Sequence, residues 1–245
     1  MKKIKISAVS YANTFPFLLG LEEYLQGDDY EITREVPSAC AAKLIHQKAD
    51  LGLIPIATIP LVPNAQIVSN YCIGAIGKVK TVLLMSKTKL GSITKVYLDS
   101  ESRTSVQLVK VLAKHHWKKK WDYEILPKDY AHNPSIESMV LIGDKTQENL
   151  NFHYQYDLSE EWFNMTGKPF VFAAWVTNTA LSLDFTTRFN NALEAGLKHI
   201  TTAIDRYNKG ITYDLEEYLK TYISYSLDKE KEEGLKLFLK YIEEL

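Results

Sequence analysis

The order strand, polar turn, helix occurs twice at the start of this chain before a third strand, and that order restricts the fold to one built on parallel strands. Ile4 and Ile6 alternate with Lys3 and Lys5 as a first strand does. Ser10-Tyr11-Ala12-Asn13 follows as a polar turn, and Pro16 suits the first turn of a helix continued by Leu18, Leu21 and Leu25. Tyr30, Ile32, Arg34 and Val36 then alternate with Glu31, Thr33 and Glu35. Ser38 is placed to cap a second helix through Ala42, Leu44 and Ile45. Leu51 to Ile56 closes the unit as a buried strand. Pro55 falls at its carboxyl end, where ligands gather in sheets of this kind.

A second series begins at Lys95. Val96 to Leu98 reads as a strand, Ser100, Ser102, Thr104 and Ser105 are N-cap residue types, and Leu108, Val111, Leu112 and His115 share one helix face. Free N–H groups and the positive dipole end at such a start can seat a carboxylate or phosphate. A well-capped helix with nothing bound is the structural alternative. Further strands are expected at Tyr123–Leu126 and Met139–Ile142, and Phe170–Val176, the longest apolar stretch, reads as a central strand. Gly143 and Asp144 form the polar turn after one of them. Asp157 to Gly167 reads as a short helix, and three core-facing helices finish the chain. One of them carries a continuous face from Phe185 to Ile204, and another has a possible capping box at Asp214 and Glu217.

This order implies an α/β protein of two lobes with a ligand cleft between them. Residues 1–86 and 177–245 would form lobe one and residues 87–176 lobe two, the return strand included. Clefts of this kind are preferred ligand sites.

Several function classes lack support. A net charge of −1 leaves no electrostatic footprint for nucleic acid or an acidic membrane. No apolar run approaches the ~18 residues of a membrane span. Lys5 interrupts the apolar start and no cleavage site follows, so a cytoplasmic protein is expected. Cys40 and Cys72 have no zinc or redox spacing and read as reduced core residues. The six histidines lack the spacing of a zinc helix, and no nucleotide-binding glycine motif or nucleophile elbow occurs. A site here is made of amides, hydroxyls and helix ends, with no metal ligands.

Taken together, the loops carry a resemblance. VSYANTFP (9–16), DLGLIPIA (50–57), CIGAIGKVKTVLL (72–84), LDSESRTS (98–105), LIGD (141–144) and TGKPFVFAAW (166–175) stand in the order and spacing of one family. The chain resembles the chorismate dehydratases of the futalosine route to menaquinone, up to about Trp175. The resemblance implies a type 2 periplasmic-binding-protein-like fold turned to catalysis. It also implies conversion of chorismate to 3-[(1-carboxyvinyl)oxy]benzoate and water without a cofactor. Monomer and homodimer are both open on the sequence. Family members often carry S-x-G-P-V-x-S where this chain runs from Gly74 to Thr81. Thr81 keeps the last hydroxyl, whereas Lys78 replaces the proline and is either an anion contact or solvent-facing, the latter favoured.

Chorismate has two carboxylates, and two helix starts, one after Ala12 and one after Ser102, are expected to take one each. Ser102, Thr104 and Ser105 would hold one through N–H groups and hydroxyls. Ser10, Tyr11 and Asn13 would address the ring or the other. Arg103 either clamps a carboxylate or points to solvent. Asn13 and Thr81 are the expected hydrogen-bonding residues at the reacting face. Asp144 is either a base or, as favoured, a loop-orienting residue. Without another base in the motifs, the substrate's own enolpyruvyl carboxylate is expected to accept the proton. A dihydroxynaphthoate synthase of the same pathway and a non-catalytic carboxylate receptor are the competing readings.

Overall fold

A computed structural model describes residues 3–148 and 150–245 of the chain. Two sheets organise it. The first has six strands in the order β11-β4-β10-β3-β1-β2: Ser224–Ser226, Gln66–Ala75, Phe170–Thr177, Leu51–Pro55, Ile4–Val9 and Tyr30–Glu35. The second has five in the order β7-β6-β8-β5-β9: Asp122–Ile125, Lys95–Leu98, Ser138–Ile142, Val82–Ser86 and Tyr154–Asp157. β1 runs parallel to both β2 and β3, as the repeated strand–helix order requires. β10 lies antiparallel between β3 and β4, in the centre of the first sheet. Its apolar run is long because both faces are covered.

The lobe boundaries differ from expectation at both ends. Val82–Ser86, expected with the first lobe, is fully buried and pairs with β8 and β9 inside the second sheet. Phe170–Thr177, expected with the second, hydrogen-bonds into the first. An apolar run fits the middle of either sheet, so its composition does not choose between them. The chain therefore crosses between sheets at residues 76–81 and 167–169, and Thr81 sits at the end of the first crossing.

α1 (Phe15–Glu23) and α2 (Pro37–Ile45) join the parallel strands, and α3 (Thr104–Val111) follows β6. α2 starts two residues before expectation: Pro37 occupies its first position and no side chain caps it, Ser38 included. α4 (Leu158–Thr166) is capped by Asp157 and ended by Gly167 at φ +68. The long face expected from Phe185 to Ile204 is broken at His199 into α5 (Leu183–Lys198) and α6 (Ile200–Tyr207). α7 (Leu215–Glu217) begins at Asp214, whose carboxylate accepts from the Glu217 amide at 2.8 Å, and α8 (Lys229–Glu243) ends the fold. Cys40 and Cys72 are buried free thiols, and burial pushes them up to about 11 and about 12. No helix of the described residues is long and apolar enough to cross a membrane.

α1 and α5 cross at two glycines. A Cβ on Gly196 would overlap the Pro16 carbonyl oxygen, and one on Gly20 the Ala192 carbonyl. Gly196→Ala should therefore push the helices apart and cost about 1–3 kcal/mol, the usual penalty for overpacking. Urea unfolding with an unchanged midpoint would refute this.

Candidate functional site

A cavity with about 610 Å³ of empty space lies between the two sheets. From the first sheet it takes Val9 at the end of β1, Leu53 and Pro55 at the end of β3, Ile73 on β4 and Phe172 and Ala173 on β10. Tyr11, Asn13 and Thr14 come from the turn before α1, and Pro37 from the start of α2. Val79, Thr81 and Val82 enter from the crossing between the sheets. The second sheet contributes Ser102, Thr104 and Ser105 at the start of α3, with Ile142 and Gly143 after β8. None of these side chains is a carboxylate, an amine, a guanidinium or an imidazole.

The crossing is held in an unusual conformation. Gly77 has φ +73 and Lys80 φ +64, a left-handed geometry that costs a non-glycine residue about 1 kcal/mol or more. Asp157 holds it there. One of its carboxylate oxygens accepts from the Val79 and Lys80 amides at 2.9 and 2.7 Å, and the other caps α4 through Ser159 and Glu160 at 3.0 and 3.2 Å. The next residue, Thr81, is thereby aimed into the cavity. Its hydroxyl lies 2.7 Å from the hydroxyl of Tyr218, and its carbonyl accepts from the Gly143 amide at 2.9 Å. Lys78 points outward to Glu160 at 3.6 Å, which settles its solvent-facing alternative.

The start of α3 is pinned to the first sheet. The Thr104 hydroxyl donates to the Phe172 carbonyl at 3.0 Å and accepts from the Ala57 amide at 3.3 Å. It is thus occupied, contrary to its expected use on a ligand carboxylate. Ser102 accepts from the Ser105 amide at 3.0 Å and so caps the helix as expected of its type. Among the described residues, no hydrogen bond uses the Ser105 hydroxyl, which remains for a ligand.

Three expected contacts are not in the cavity. Ser10 points away because it alternates with Val9 along the strand, and its amide and hydroxyl both go to the Glu35 carbonyl, at 3.0 and 3.3 Å. Arg103 is exposed and faces an outer groove with Ser38 and His46, since one residue along a helix start turns the side chain by ~100°. It cannot clamp a ligand carboxylate there. Asp144 lies beside the cavity, where it accepts from the Tyr213 hydroxyl at 2.9 Å. That is the geometry of a loop-orienting residue.

Tyr11 links the lobes. Its hydroxyl donates to Glu101 at 2.9 Å, and Lys145 bridges Glu101 and Asp99 at 2.8 and 3.1 Å. Lys145 holds the Glu101 carboxyl below the usual glutamate range, mainly through this hydrogen bond. Burial first, then the Glu101 carboxylate, keeps the Tyr11 phenol well above its own. Burial does the same for Tyr218. Both phenols therefore stay neutral near pH 7, and the site works with uncharged donors.

With this geometry in hand, comparison with known proteins places the chain. The family model described as menaquinone biosynthesis matches residues 4–244. The chain belongs to the menaquinone biosynthesis family. A chorismate dehydratase from Thermus thermophilus is 24% identical over 200 residues, covering 71% of this chain and 70% of the relative. Protein AF1704 from Archaeoglobus fulgidus has a similar structure, with a TM-score of 0.79 at 14% identity over 99% of this chain and 97% of that one. The Candida albicans CA3427 product, described as having the generic periplasmic binding protein fold, gives 0.70 at 13% identity over 100% and 91%. The two-lobed α/β architecture is thus a periplasmic-binding-protein-like fold.

Several residues of this menaquinone-biosynthesis protein escape sequence reasoning. Tyr218 and Tyr225 are buried, and a buried phenol needs a partner for its hydroxyl. Tyr225 donates to the Asn13 carbonyl at 3.0 Å. The clustering of Tyr213, Tyr218, Tyr222 and Tyr225 is the signal that could have found them. Pro37 is a second such case: a proline just after a strand marks a helix start at the carboxyl edge.

Proposed function

We propose that this protein is a chorismate dehydratase, a hydro-lyase of the futalosine route that converts chorismate to 3-[(1-carboxyvinyl)oxy]benzoate in the cytoplasm. The observation that carries this reading is that Thr81 and Asn13 line the same cavity as the start of α3. In this pose a substrate carboxylate rests against the positive end of α3 and the Ser105 hydroxyl. Phe172 and the Tyr11 ring supply flat apolar surface for the six-membered ring.

The chemistry is a loss of water that makes the ring aromatic. The electron pair of the C–H bond beside the ring hydroxyl becomes a ring double bond, and the C–O pair leaves with the oxygen. Thr81 and Asn13 hydrogen-bond the reacting face and stabilise the departing oxygen. No lining side chain is a base in the useful range, so the substrate's enolpyruvyl carboxylate takes the proton. That proton ends on the departing hydroxide, which leaves as water. The cavity's task is orientation and leaving-group stabilisation, and aromatisation supplies the drive.

Closure of the lobes over the substrate completes these contacts. Glu101→Gln, which loosens the Tyr11–Glu101–Lys145 bridge, should raise KM about fivefold with kcat little changed, the loss of roughly 1 kcal/mol of cross-lobe bonding. The bridge should also be pH-dependent. The Glu101 pKa is lowered from 4.5, so its contribution is complete above that value and is lost as pH falls through the lowered one. Steady-state kinetics checks the first, and a KM for Glu101→Gln equal to that of the parent would contradict it.

Titrating chorismate calorimetrically while assaying the product by chromatography tests the whole reading. Heat of binding together with accumulating benzoate is expected. Binding without turnover would leave a carboxylate receptor in its place.

A further inference from the structure

Tyr218 lies just after α7, is 4% exposed and does not line the cavity. Its hydroxyl is 2.7 Å from the Thr81 hydroxyl, the one hydrogen bond that this phenol makes among the described residues. The phenol thus backs Thr81, one of the two residues proposed to face the substrate. This chain's C-terminal segment adds further ties at the same place: Lys80 pairs with Glu217 at 3.5 Å and sits over the Tyr222 ring at 4.0 Å.

The direction of the Tyr218–Thr81 bond matters, because a threonine hydroxyl carries a single hydrogen. If Thr81 gives that hydrogen to Tyr218, none is left for the departing oxygen. If Tyr218 gives its own to Thr81, the threonine hydrogen is free to point into the cavity. Burial settles the choice. Thr81 is the one acceptor within reach of the phenol hydrogen among the described residues, and a buried O–H left unpaired is costly, so that hydrogen goes to Thr81. Hydrogen bonds in such a buried chain also polarise one another, which makes the terminal donor stronger.

We propose that Tyr218 is a positioning residue that sets the direction of the Tyr218–Thr81 hydrogen bond, so that the Thr81 hydrogen is presented to the substrate's leaving hydroxyl. This rests on the dehydratase reading above and adds to it a residue that never touches substrate.

A double-mutant cycle on the full chain tests it, with chorismate as substrate and product affinity measured in parallel. Tyr218→Phe should lower kcat about tenfold, the equivalent of one lost hydrogen bond, with KM and product affinity within about twofold. In a Thr81→Val background the same change should cost nothing more, because there is no hydrogen left to direct. A merely structural tyrosine would instead lower kcat equally in both backgrounds, or move KM and product affinity. Either of those results, or an unchanged kcat in Tyr218→Phe, overturns the inference while the parent protein still turns over. A parent protein inert toward chorismate overturns the functional reading itself, and the inference with it.

Discussion

Thr81→Val should lower kcat for chorismate about 10²–10³-fold and leave KM nearly unchanged. The change preserves shape and removes one hydroxyl, so binding of the ring and carboxylates survives while the hydrogen bond to the departing oxygen does not. A donor that acts on charge developing in the transition state is worth about 10²–10³ in rate when removed. Thr81 also has the mechanical setting such a donor needs. It follows a left-handed Lys80, is fixed by Asp157 through the two preceding amides, and is backed by Tyr218. Asn13→Ala should fall in the same direction. Measured kcat within threefold of the parent in both folded variants would remove these residues from the chemistry.

Asp157→Ala should produce the largest loss of stability, about 3–5 kcal/mol. Its carboxylate satisfies four backbone amides, two in the crossing between the sheets and two at the start of α4. Loss of an N-cap costs about 1 kcal/mol, and each buried amide left without an acceptor adds about 1–3. Asp157→Asn should fall between, since one side of an amide can accept and the other cannot. The crossing would also lose the restraint that holds Lys80 left-handed, so activity should drop beyond the unfolded fraction. Urea unfolding of the three proteins gives the comparison. A loss below 1 kcal/mol for Asp157→Ala would mean that the crossing is held by other contacts.

Much of the fold is legible in the sequence wherever a face is half buried. Tyr30 and Ile32 alternate with Glu31 and Thr33 because the edge strand β2 has one side turned inward and the other exposed. Phe170–Val176 reveals its central position by being apolar on both sides. The lobe boundary is not legible for the converse reason: Val82–Ser86 is buried throughout, and nothing in its composition says which sheet it joins. β9 and β11 are short strands with little apolar content, and they depend on tertiary pairing that no local pattern encodes.

The site divides the same way. Tyr11, Asn13, Pro55, Thr81, Ser102, Ser105 and Gly143 line the cavity, because a loop at the carboxyl edge of a strand meets it by construction. Ser10 and Arg103 fail because a neighbour one position away in a strand or helix start faces the other side. Thr104 reaches the cavity with its hydroxyl already committed to Phe172 and Ala57, a cross-lobe bond invisible in one dimension. Tyr218 stays hidden because no local pattern tells a buried tyrosine with a partnered hydroxyl from any other aromatic.

The pH dependence of kcat, followed by the appearance of the aromatic product from chorismate, bears most directly on the central claim that uncharged donors and the substrate's own carboxylate carry the elimination. Free carboxylates titrate near pH 4, and burial keeps both phenols at the site neutral far above neutrality. The expected profile is therefore level between about pH 6 and 9. A bell, or a limb with a midpoint near pH 7, would reveal a protein acid or base and contradict the account, as would chorismate left unconverted across the range.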